Sequence, residues 1–428
     1  MKTRFDAVVV GAGPAGSSTA ILLARAGWSV ALVERQRFPR RKVCGECIAA
    51  SNLPLLDALG IGTAFDRLAG AELRRVALMH GRGTVIADLP AANSLQHGYG
   101  RALGREHLDT LLATEAGAAG ATLMQPWSLQ TIEGGPGRFR VRIDPVEDDG
   151  AAVWLDAALV VAAHGSWQPL PSERAMRRAT RKPSDLFAFK ANFRDAAIAA
   201  DLLPVLAFAG GYGGMVVADD GLATLACCIR EDRLGRSRDA EPGQSAGDVV
   251  EAILRRECTG VADALAGARR EGPWLATGPI RPGLRLAAGD AVFRVGNAAG
   301  EAHPIVGEGI SMALQSAFVL ASLLGTPRHA LIDAATAGPA QRALRSRYER
   351  LWRRHFVGRL RLAAAFANAA MRPKLIGALW PMLERWPALL SFGARVCGKT
   401  RCAPEALRLA ETLRLAGAGP DHAESAAA

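Results

Sequence analysis

The sequence predicts an α/β protein in which a nucleotide-binding unit carries an inserted antiparallel β-sheet and is followed by a C-terminal helical region. Three observations carry this prediction: a glycine-rich β-α-β pattern at the N-terminus, strand-like alternation over residues 187–230, and an arginine-rich helical segment after residue 339. The chain has 428 residues, of which 50% are hydrophobic and 22% charged. Such a chain can bury a large core and has a folded, globular composition.

The first element is a β-α-β unit. The apolar runs at residues 7–10 and 30–33 predict two buried parallel strands, and the sequence between them suits a helix. Gly11, Gly13 and Gly16 form a G-x-G-x-x-G pattern, which allows a tight turn and a close approach of the backbone to a pyrophosphate.

Glu34 follows the second strand, where its carboxylate is placed to bind ribose hydroxyls. An ordinary glycine-rich turn in an α/β protein would leave Glu34 unexplained. The order of strand, turn, helix, strand and terminal acid therefore predicts a Rossmann-like dinucleotide site.

The middle of the chain predicts further strands and one helix. Residues 106–116 form a helical pattern, and residues 138–164 predict two strands with a turn around 147–150. Alternation over residues 187–230 predicts an antiparallel sheet inserted between nucleotide-binding segments.

A second glycine-rich loop precedes a long predicted helix at residues 309–324. A strand ends at Val295, the turn Gly296-Asn297 follows, and Pro304 and Gly307 stiffen the loop. The N–H groups and positive dipole at a helix N-terminus suit a phosphate or the electron-rich edge of a flavin ring.

These patterns resemble FAD-dependent oxidoreductases of the para-hydroxybenzoate hydroxylase type, particularly the branch with geranylgeranyl reductases and flavin-dependent halogenases. Four motifs in the same order carry the resemblance: the N-terminal fingerprint, FPRRKVCGE at 38–46, GREHLDTLL at 104–112, and VGNAAGEAHPIVGEGISMAL at 295–314. The resemblance implies a Rossmann-like FAD-binding domain with an inserted antiparallel substrate domain.

The patterns and the resemblance together predict a set of FAD contacts along all four motifs. The predicted residues are Gly11, Gly13, Pro14, Ala15, Gly16, Glu34, Arg35, Arg41, Lys42, Cys44, Gly45, Arg105, Gly296, Asn297, Pro304, Gly307, Gly309 and Ile310.

Two departures from the family pattern bear on function. Asn297 stands where the family usually has Asp, so it can hydrogen-bond a ribityl hydroxyl without adding charge. His164 replaces the Asp of an Ala-Asp-Gly element linked in the family to FAD and nicotinamide use, which leaves NAD(P)H as a possible electron donor only. The halogenases' Gly-Trp-x-Trp motif and the reductases' Phe-Pro-containing strand are both absent.

Cys44 and Cys47 have the spacing of zinc ligands or a redox dithiol. Zinc would need two more donors at suitable spacing, and the adjacent Cys227 and Cys228 form a poor pair. A dithiol would need a thioredoxin-like setting, whereas this pair follows a β-α-β unit. We therefore predict no metal, one cysteine (Cys44) near the flavin, and Cys47 directed into the protein.

Catalytic residues are not evident, and three candidates stand out. His303, beside Pro304, could exchange a proton near the flavin, Tyr212 could project into the substrate pocket from the inserted sheet, and Cys44 could face the flavin. A loop-capping histidine and a packed tyrosine are the structural alternatives. Lys190 and Asp185 are expected at the surface.

The positive charge lies in the C-terminal segment. The formal net charge is +11, and residues 339–402 hold 14 Arg or Lys against 2 acids, a balance of +12. Its mixture of basic, Leu, Phe and Trp residues suits an anionic membrane surface, an acidic carrier protein bearing a tethered substrate, or a helical lid. This concentration argues against a nucleic-acid enzyme.

The predicted organisation has three parts and a tail. The FAD domain comprises 1–75, 95–167 and 275–325; the substrate domain 76–94 and 168–274; and the helical region 326–415, before a disordered tail at 416–428. Seven cysteines without a disulfide framework, and the lack of a long apolar stretch or signal peptide, favour the cytoplasm, with peripheral membrane contact as an option.

The predicted function is an FAD-dependent oxidoreductase acting on a hydrophobic small molecule. A monooxygenase that hydroxylates an aromatic, polyketide or isoprenoid intermediate of specialised metabolism is the first hypothesis. A double-bond reductase of the geranylgeranyl reductase kind is the second, and a halogenase the third. A flavoprotein that only docks to a carrier or membrane is the non-catalytic alternative.

Overall fold

The computed structural model describes residues 2–92, 96–147, 150–166, 170, 181–286, 289–325, 328–397 and 400–417. Two seven-stranded sheets organise this part of the chain, and two short strand pairs connect loops. The first sheet contains β1 (Arg4–Val10), β2 (Val30–Val33), β7 (Thr122–Met124), β8 (Trp127–Gly135), β9 (Arg138–Pro145), β10 (Val153–Ala162) and β17 (Phe293–Arg294).

The second sheet contains β4 (Arg75–His80), β5 (Gly83–Asp88), β11 (Leu186–Arg194), β12 (Leu202–Phe208), β13 (Gly211–Val217), β14 (Ala223–Arg230) and β15 (Arg269–Ile280). The short pairs join β3 (Cys47–Ile48) to β6 (Arg101–Ala102) and β16 (Gly283–Leu284) to β18 (Gly300–Glu301).

The helices cover both sheets and form the C-terminal region. They are α1 (Pro14–Arg25), α2 (Leu53–Ala58), α3 (Gly62–Leu68), α4 (Arg105–Ala118), α5 (Glu231–Ala240), α6 (Ala246–Glu257), α7 (Thr259–Ala264), α8 (Gly309–Leu324), α9 (Arg328–Ile332), α10 (Ala337–Ala370), α11 (Pro373–Arg385), α12 (Ala388–Val396) and α13 (Pro404–Gly417).

The predicted β-α-β unit is confirmed. β1 pairs in parallel with β2 on one side and β10 on the other, and α1 connects β1 to β2. Gly11 has a φ of +100°, and a Cβ atom on Gly16 would lie 1.8 Å from the Gly11 carbonyl oxygen. A side chain at Gly16 would therefore push α1 away from the turn.

The inserted sheet is confirmed, with one difference in pairing. β11, β13, β14 and β15 pair antiparallel, as the alternation predicts, but β12 pairs with β4 in parallel. This pair joins strands far apart in sequence, so local alternation could not reveal its direction. β15 crosses the predicted boundary at residue 274, and the domain limits stay a prediction.

Two expectations about individual positions are wrong. Lys190 and Asp185, expected at the surface, are 2% and 7% exposed. Lys190 forms a salt bridge with Glu46, and Asp185 forms one with Arg281 at 3.0 Å. These ion pairs offset the free-energy cost of removing the two charged side chains from water.

The expected tail also differs from the structure where it can be compared. α13 continues through the first two of its residues, 416 and 417. The remaining residues, 418–428, lie outside the described part of the chain.

The long helix α10 packs the C-terminal region onto the hydrophobic core formed around β1, α1 and α8, which we call the FAD-side core. Trp352, Phe356 and Tyr348 are fully buried, and the Tyr348 hydroxyl donates to the Arg294 carbonyl oxygen at 2.8 Å. The Trp352 ring lies so close to Gly300 that a Cβ atom there would come within 2.4 Å of it. This indole therefore fills the space that the glycine leaves.

Trp352→Ala should destabilise the protein by about 3–5 kcal/mol, because it leaves a cavity in a packed core. The measurement is the denaturant dependence of unfolding, followed by circular dichroism. Arg350→Ala, at an exposed position of the same helix, is the matched control and should change stability by less than about 0.5 kcal/mol. Equal effects of the two substitutions would show that the packing against Gly300 is dispensable.

Candidate functional site

The dinucleotide end of the site is formed by the turn after β1 and the end of β2. Glu34 is buried, and its carboxylate accepts hydrogen bonds from Ala12 N–H at 2.8 Å and Gln36 N–H at 3.0 Å. These bonds hold the carboxylate beside the glycine turn, where ribose hydroxyls would lie.

A group of cations lies beside this turn. Arg105 binds Asp109 through two hydrogen bonds of 2.7 Å, and Arg40 lies 3.4 Å from Asp109 and 3.6 Å from Glu34. The buried Nε of Arg40 has no hydrogen-bond acceptor among the described residues. A bound pyrophosphate would supply one, so the residues present fit the diphosphate of FAD.

Lys42 belongs to the same group. Removal from water lowers the pKa of its ammonium from 10.5 to about 8, and repulsion from Arg105 and Arg40 contributes. An anion bound beside Lys42 would favour the charged form and raise this pKa again.

Glu46 connects the loop of the second motif, residues 38–46, to three other elements. We call this loop and the loop of the fourth motif, residues 295–308, the flavin-side loops, after the position that the resemblance predicts for FAD. It is 1% exposed and has a φ of +57°, a conformation that is strained for a residue with a side chain. Its carboxylate accepts from Arg105 N–H at 3.0 Å, from Thr224 Oγ1 at 2.6 Å and from Lys190 Nζ. These bonds join the loop to the start of α4 and to β14 and β11 of the second sheet.

The sequence contains only a faint indication of this network. Glu46 belongs to the Cys-Gly-Glu motif, but Lys190 is the one charged residue in the apolar run 186–191. That pattern could have suggested a buried charge.

The two cysteines of the C-x-x-C have different environments. Cys44 is half-buried, and its sulfur accepts the Glu46 N–H at 3.3 Å, whereas Cys47 is buried in β3, as predicted. A group of possible metal ligands, Glu106, His107 and Asp219, occurs among the described residues and contains neither cysteine.

The second glycine-rich loop reaches back to the first. A Cβ atom on Gly296 would lie 2.9 Å from the Ala15 Cβ, which brings the fourth motif against the start of α1. Asn297 Nδ2 donates to Ser166 Oγ at 2.9 Å. Gly307 has a φ of +62° and ends the turn Pro304–Val306, so the chain can enter α8 at Gly309.

Four more of the predicted FAD contacts have varied surroundings. Arg35 and Gly45 are exposed, and Arg41 is engaged with Glu106 at 3.0 Å and Glu271 at 3.6 Å. Ile310 is buried in the first turn of α8. FAD contacts by these four residues, as by the other predicted residues, stay predictions.

Tyr212 and His303, predicted separately, are brought together. The Tyr212 hydroxyl lies 3.1 Å from His303 Nδ1. Burial raises the pKa of the Tyr212 phenol well above 10 and lowers the pKa of His303 from 6.5 to about 4. Both groups are therefore neutral near pH 7.

An apolar cluster surrounds this pair. Tyr212 packs in one group with Val43 from the second motif and Ile305 from the fourth. The same group extends to side chains of α10, α11 and α12, including Ala370, Ile376, Leu383 and Leu390. We call this group the Tyr212 cluster; it joins both flavin-side loops to the C-terminal helices.

Stability should fall in acid because of His303. Its folded pKa of about 4 is below its unfolded value of 6.5, so the unfolded chain binds more protons between these values. Lowering the pH from 7 to 5 should cost about 1–2 kcal/mol of unfolding free energy through this group. His303→Gln should reduce the loss measured by denaturant titration, whereas His329→Gln, at an exposed position, should not. An unchanged pH dependence in His303→Gln would contradict this assignment.

FAD affinity should fall at high pH because of Lys42. Since a bound diphosphate raises the pKa of Lys42 above about 8, binding takes up a proton, and affinity should drop about tenfold between pH 7 and 9. Titration of the apoprotein with FAD at a series of pH values measures this slope. Lys42→Arg should remove the slope, and Lys42→Met should weaken binding at every pH. A slope retained in Lys42→Arg would assign the proton to another group.

Comparisons with known proteins agree with this geometry. The family model described as "FAD binding domain" matches residues 4–343. Menaquinone reductase of Mycolicibacterium smegmatis is 27% identical over 426 residues, 97% of each chain. Digeranylgeranylglycerophospholipid reductase 2 of Methanopyrus kandleri is 28% identical over 324 residues, 73% of this chain and 74% of its own.

A solved structure shows the same fold. The flavin-dependent brominase Bmp2 superposes with a TM-score of 0.71 at 16% identity, over 97% of this chain and 98% of its own. The resemblance to the para-hydroxybenzoate hydroxylase type and its reductase and halogenase branch is confirmed, as are the fold class and the cofactor. The chain belongs to the FAD binding domain family, and it is an FAD-dependent oxidoreductase.

Proposed function

We propose that this enzyme reduces a carbon–carbon double bond in the isoprenoid chain of a lipophilic substrate. The observation that carries the proposal is the Tyr212 cluster, a group of packed apolar side chains that encloses a neutral phenol and includes residues of both flavin-side loops. Similarity to the two reductases supports it. The menaquinone reductase match includes the C-terminal helices, which lie beyond the 4–343 family match.

The Tyr212 cluster suits a hydrocarbon chain. Such a chain offers no hydrogen-bonding groups, so its binding depends on apolar contact with side chains such as Val43, Ile305 and Leu383. A charged side chain in place of any of these apolar residues would weaken binding, because it would lose its hydration when the hydrocarbon chain bound.

Reduction of a double bond adds one hydride and one proton. Reduced FAD supplies the hydride with its two electrons when it is bound. Tyr212 donates the proton to the other carbon from its neutral phenol, and the resulting phenolate accepts the Nδ1 proton of His303 as His303 Nε2 takes up a proton from solvent. The imidazole changes tautomer and stays neutral, so half-buried His303 connects the enclosed donor to solvent.

Hydroxylation, the first hypothesis from the sequence, stays a prediction and needs no pair of a proton donor and a proton relay.

We propose NAD(P)H as the source of electrons for FAD. We also propose a cytoplasmic location, which agrees with a sequence whose seven cysteines are not spaced as a disulfide framework.

The test uses the holoenzyme, reduced without oxygen and mixed with a menaquinone of defined chain length. We expect the flavin absorbance to return as the substrate gains two hydrogens in mass spectrometry. Tyr212→Phe should slow this step about 100-fold or more while FAD stays bound. Tyr99→Phe, at a tyrosine outside the cluster, is the matched control.

The outcomes separate the chemistries. A product that gains oxygen, formed only in air with NAD(P)H, would establish hydroxylation instead. Reduction at an unchanged rate in Tyr212→Phe would remove Tyr212 as the proton donor.

A further inference from the structure

Helices α11 and α12 present large apolar side chains to solvent. Five of the eleven exposed large apolar side chains in the described part of the chain lie within residues 375–392, Trp386 in the connection between the two helices: Leu375, Met382, Trp386, Leu389 and Phe392. Trp386 and Phe392 are 58% and 63% exposed. Exposed aromatic side chains concentrated in this way mark an interaction surface.

The exposed residues form a face separate from the one that packs on the protein. On α11 the buried residues Ile376 and Leu383 belong to the Tyr212 cluster. Leu375, Ala378 and Met382 are exposed and follow one another at helical spacing. Leu375 directly precedes Ile376 in the chain, and Met382 directly precedes Leu383. The helix is therefore apolar on two adjoining faces, and only one of them is covered.

The charges around this surface are mostly positive. Arg372, Lys374, Arg385 and Arg395 are exposed, whereas Glu384 is the acid between residues 372 and 396 and accepts a hydrogen bond from Trp380 at 2.7 Å. Basic side chains beside exposed Trp and Phe match the headgroup region of an anionic bilayer. No helix in the described ranges is long and apolar enough to cross a membrane.

We propose that α11 and α12 form a docking surface that inserts into the headgroup region of an anionic membrane. The uncovered apolar face, Trp386 and Phe392 enter the lipid, and the arginine and lysine side chains bind the phosphates. An acidic carrier protein would account for the basic residues. The membrane is favoured because an anionic interface accounts for both the exposed Trp and Phe side chains and the basic residues beside them.

The same helices form the outer wall of the Tyr212 cluster. Leu383 and Leu390 pack in the group that contains Val43, Ile305 and Tyr212. A lipid-borne chain that enters beside α11 would follow apolar side chains to the flavin-side loops. This second step rests on the proposed function, whereas membrane docking does not.

Docking is tested by sedimentation of the holoenzyme with vesicles of phosphatidylcholine, with and without phosphatidylglycerol. We expect binding to the anionic vesicles, weakened about tenfold when salt is raised, because exposed charges are screened. The double substitution Trp386→Ser and Phe392→Ser should weaken binding about tenfold or more. Leu415→Ser, at a residue of α13 that is 71% exposed, is the matched control.

Equal vesicle binding by the double variant and the wild type would overturn the proposal. So would tight binding of an acidic acyl carrier protein that is unaffected by the double substitution, combined with no vesicle binding. Retained flavin absorbance and an unchanged melting temperature would show that the variants are folded.

Substrate entry is tested with two forms of menaquinone. The double variant should reduce a short-chain form in detergent at the wild-type rate and a long-chain form in vesicles about tenfold more slowly. Slow reduction of both forms would overturn the role in entry. Vesicle binding by the wild type with no reduction of either form would refute the proposed function and leave the docking surface intact.

Discussion

The buried ion pair between Glu46 and Lys190 is the constraint on which the site depends. A carboxylate and an ammonium that leave water together are stable only when the remaining hydrogen bonds are also made, and Thr224 and the Arg105 N–H complete them. Because Glu46 lies in the loop before β3 and Lys190 in β11, this pair fixes the second sheet relative to the flavin-side loop. The strained backbone at Glu46 is tolerated because three elements hold its side chain.

The two ends of the site have opposite electrostatic character. At the dinucleotide end, Arg40, Lys42 and Arg105 outnumber the carboxylates of Glu34 and Asp109, so an anion is needed to complete the charge balance. At the other end burial keeps Tyr212 and His303 neutral and surrounds them with apolar side chains. A cofactor with a charged tail and a substrate with a hydrocarbon chain fit this arrangement together.

The C-terminal helices contact both the interior of the protein and the solvent. α10 is held to the FAD-side core through Trp352 and Tyr348, while α11 and α12 cover the Tyr212 cluster and expose a second apolar face. Apolar side chains of the Tyr212 cluster thus extend from Val43 and Ile305 to Leu383 and Leu390 of these helices. The proposed proton donation at Tyr212 and the proposed docking at Trp386 are separate steps, so substitutions at one need not affect the other.

The sequence by itself determined the β-α-β unit, the glycine turn with Glu34, the order of the motifs and therefore FAD. These features depend on local periodicity and on the conformational freedom of glycine, which can be recognised without knowing the fold. Tertiary structure alone decided the parallel pairing of β4 with β12, the burial of Lys190 and the contact between Tyr212 and His303. Each joins segments far apart in the chain, and a single sequence specifies such contacts only through the packing of the whole protein.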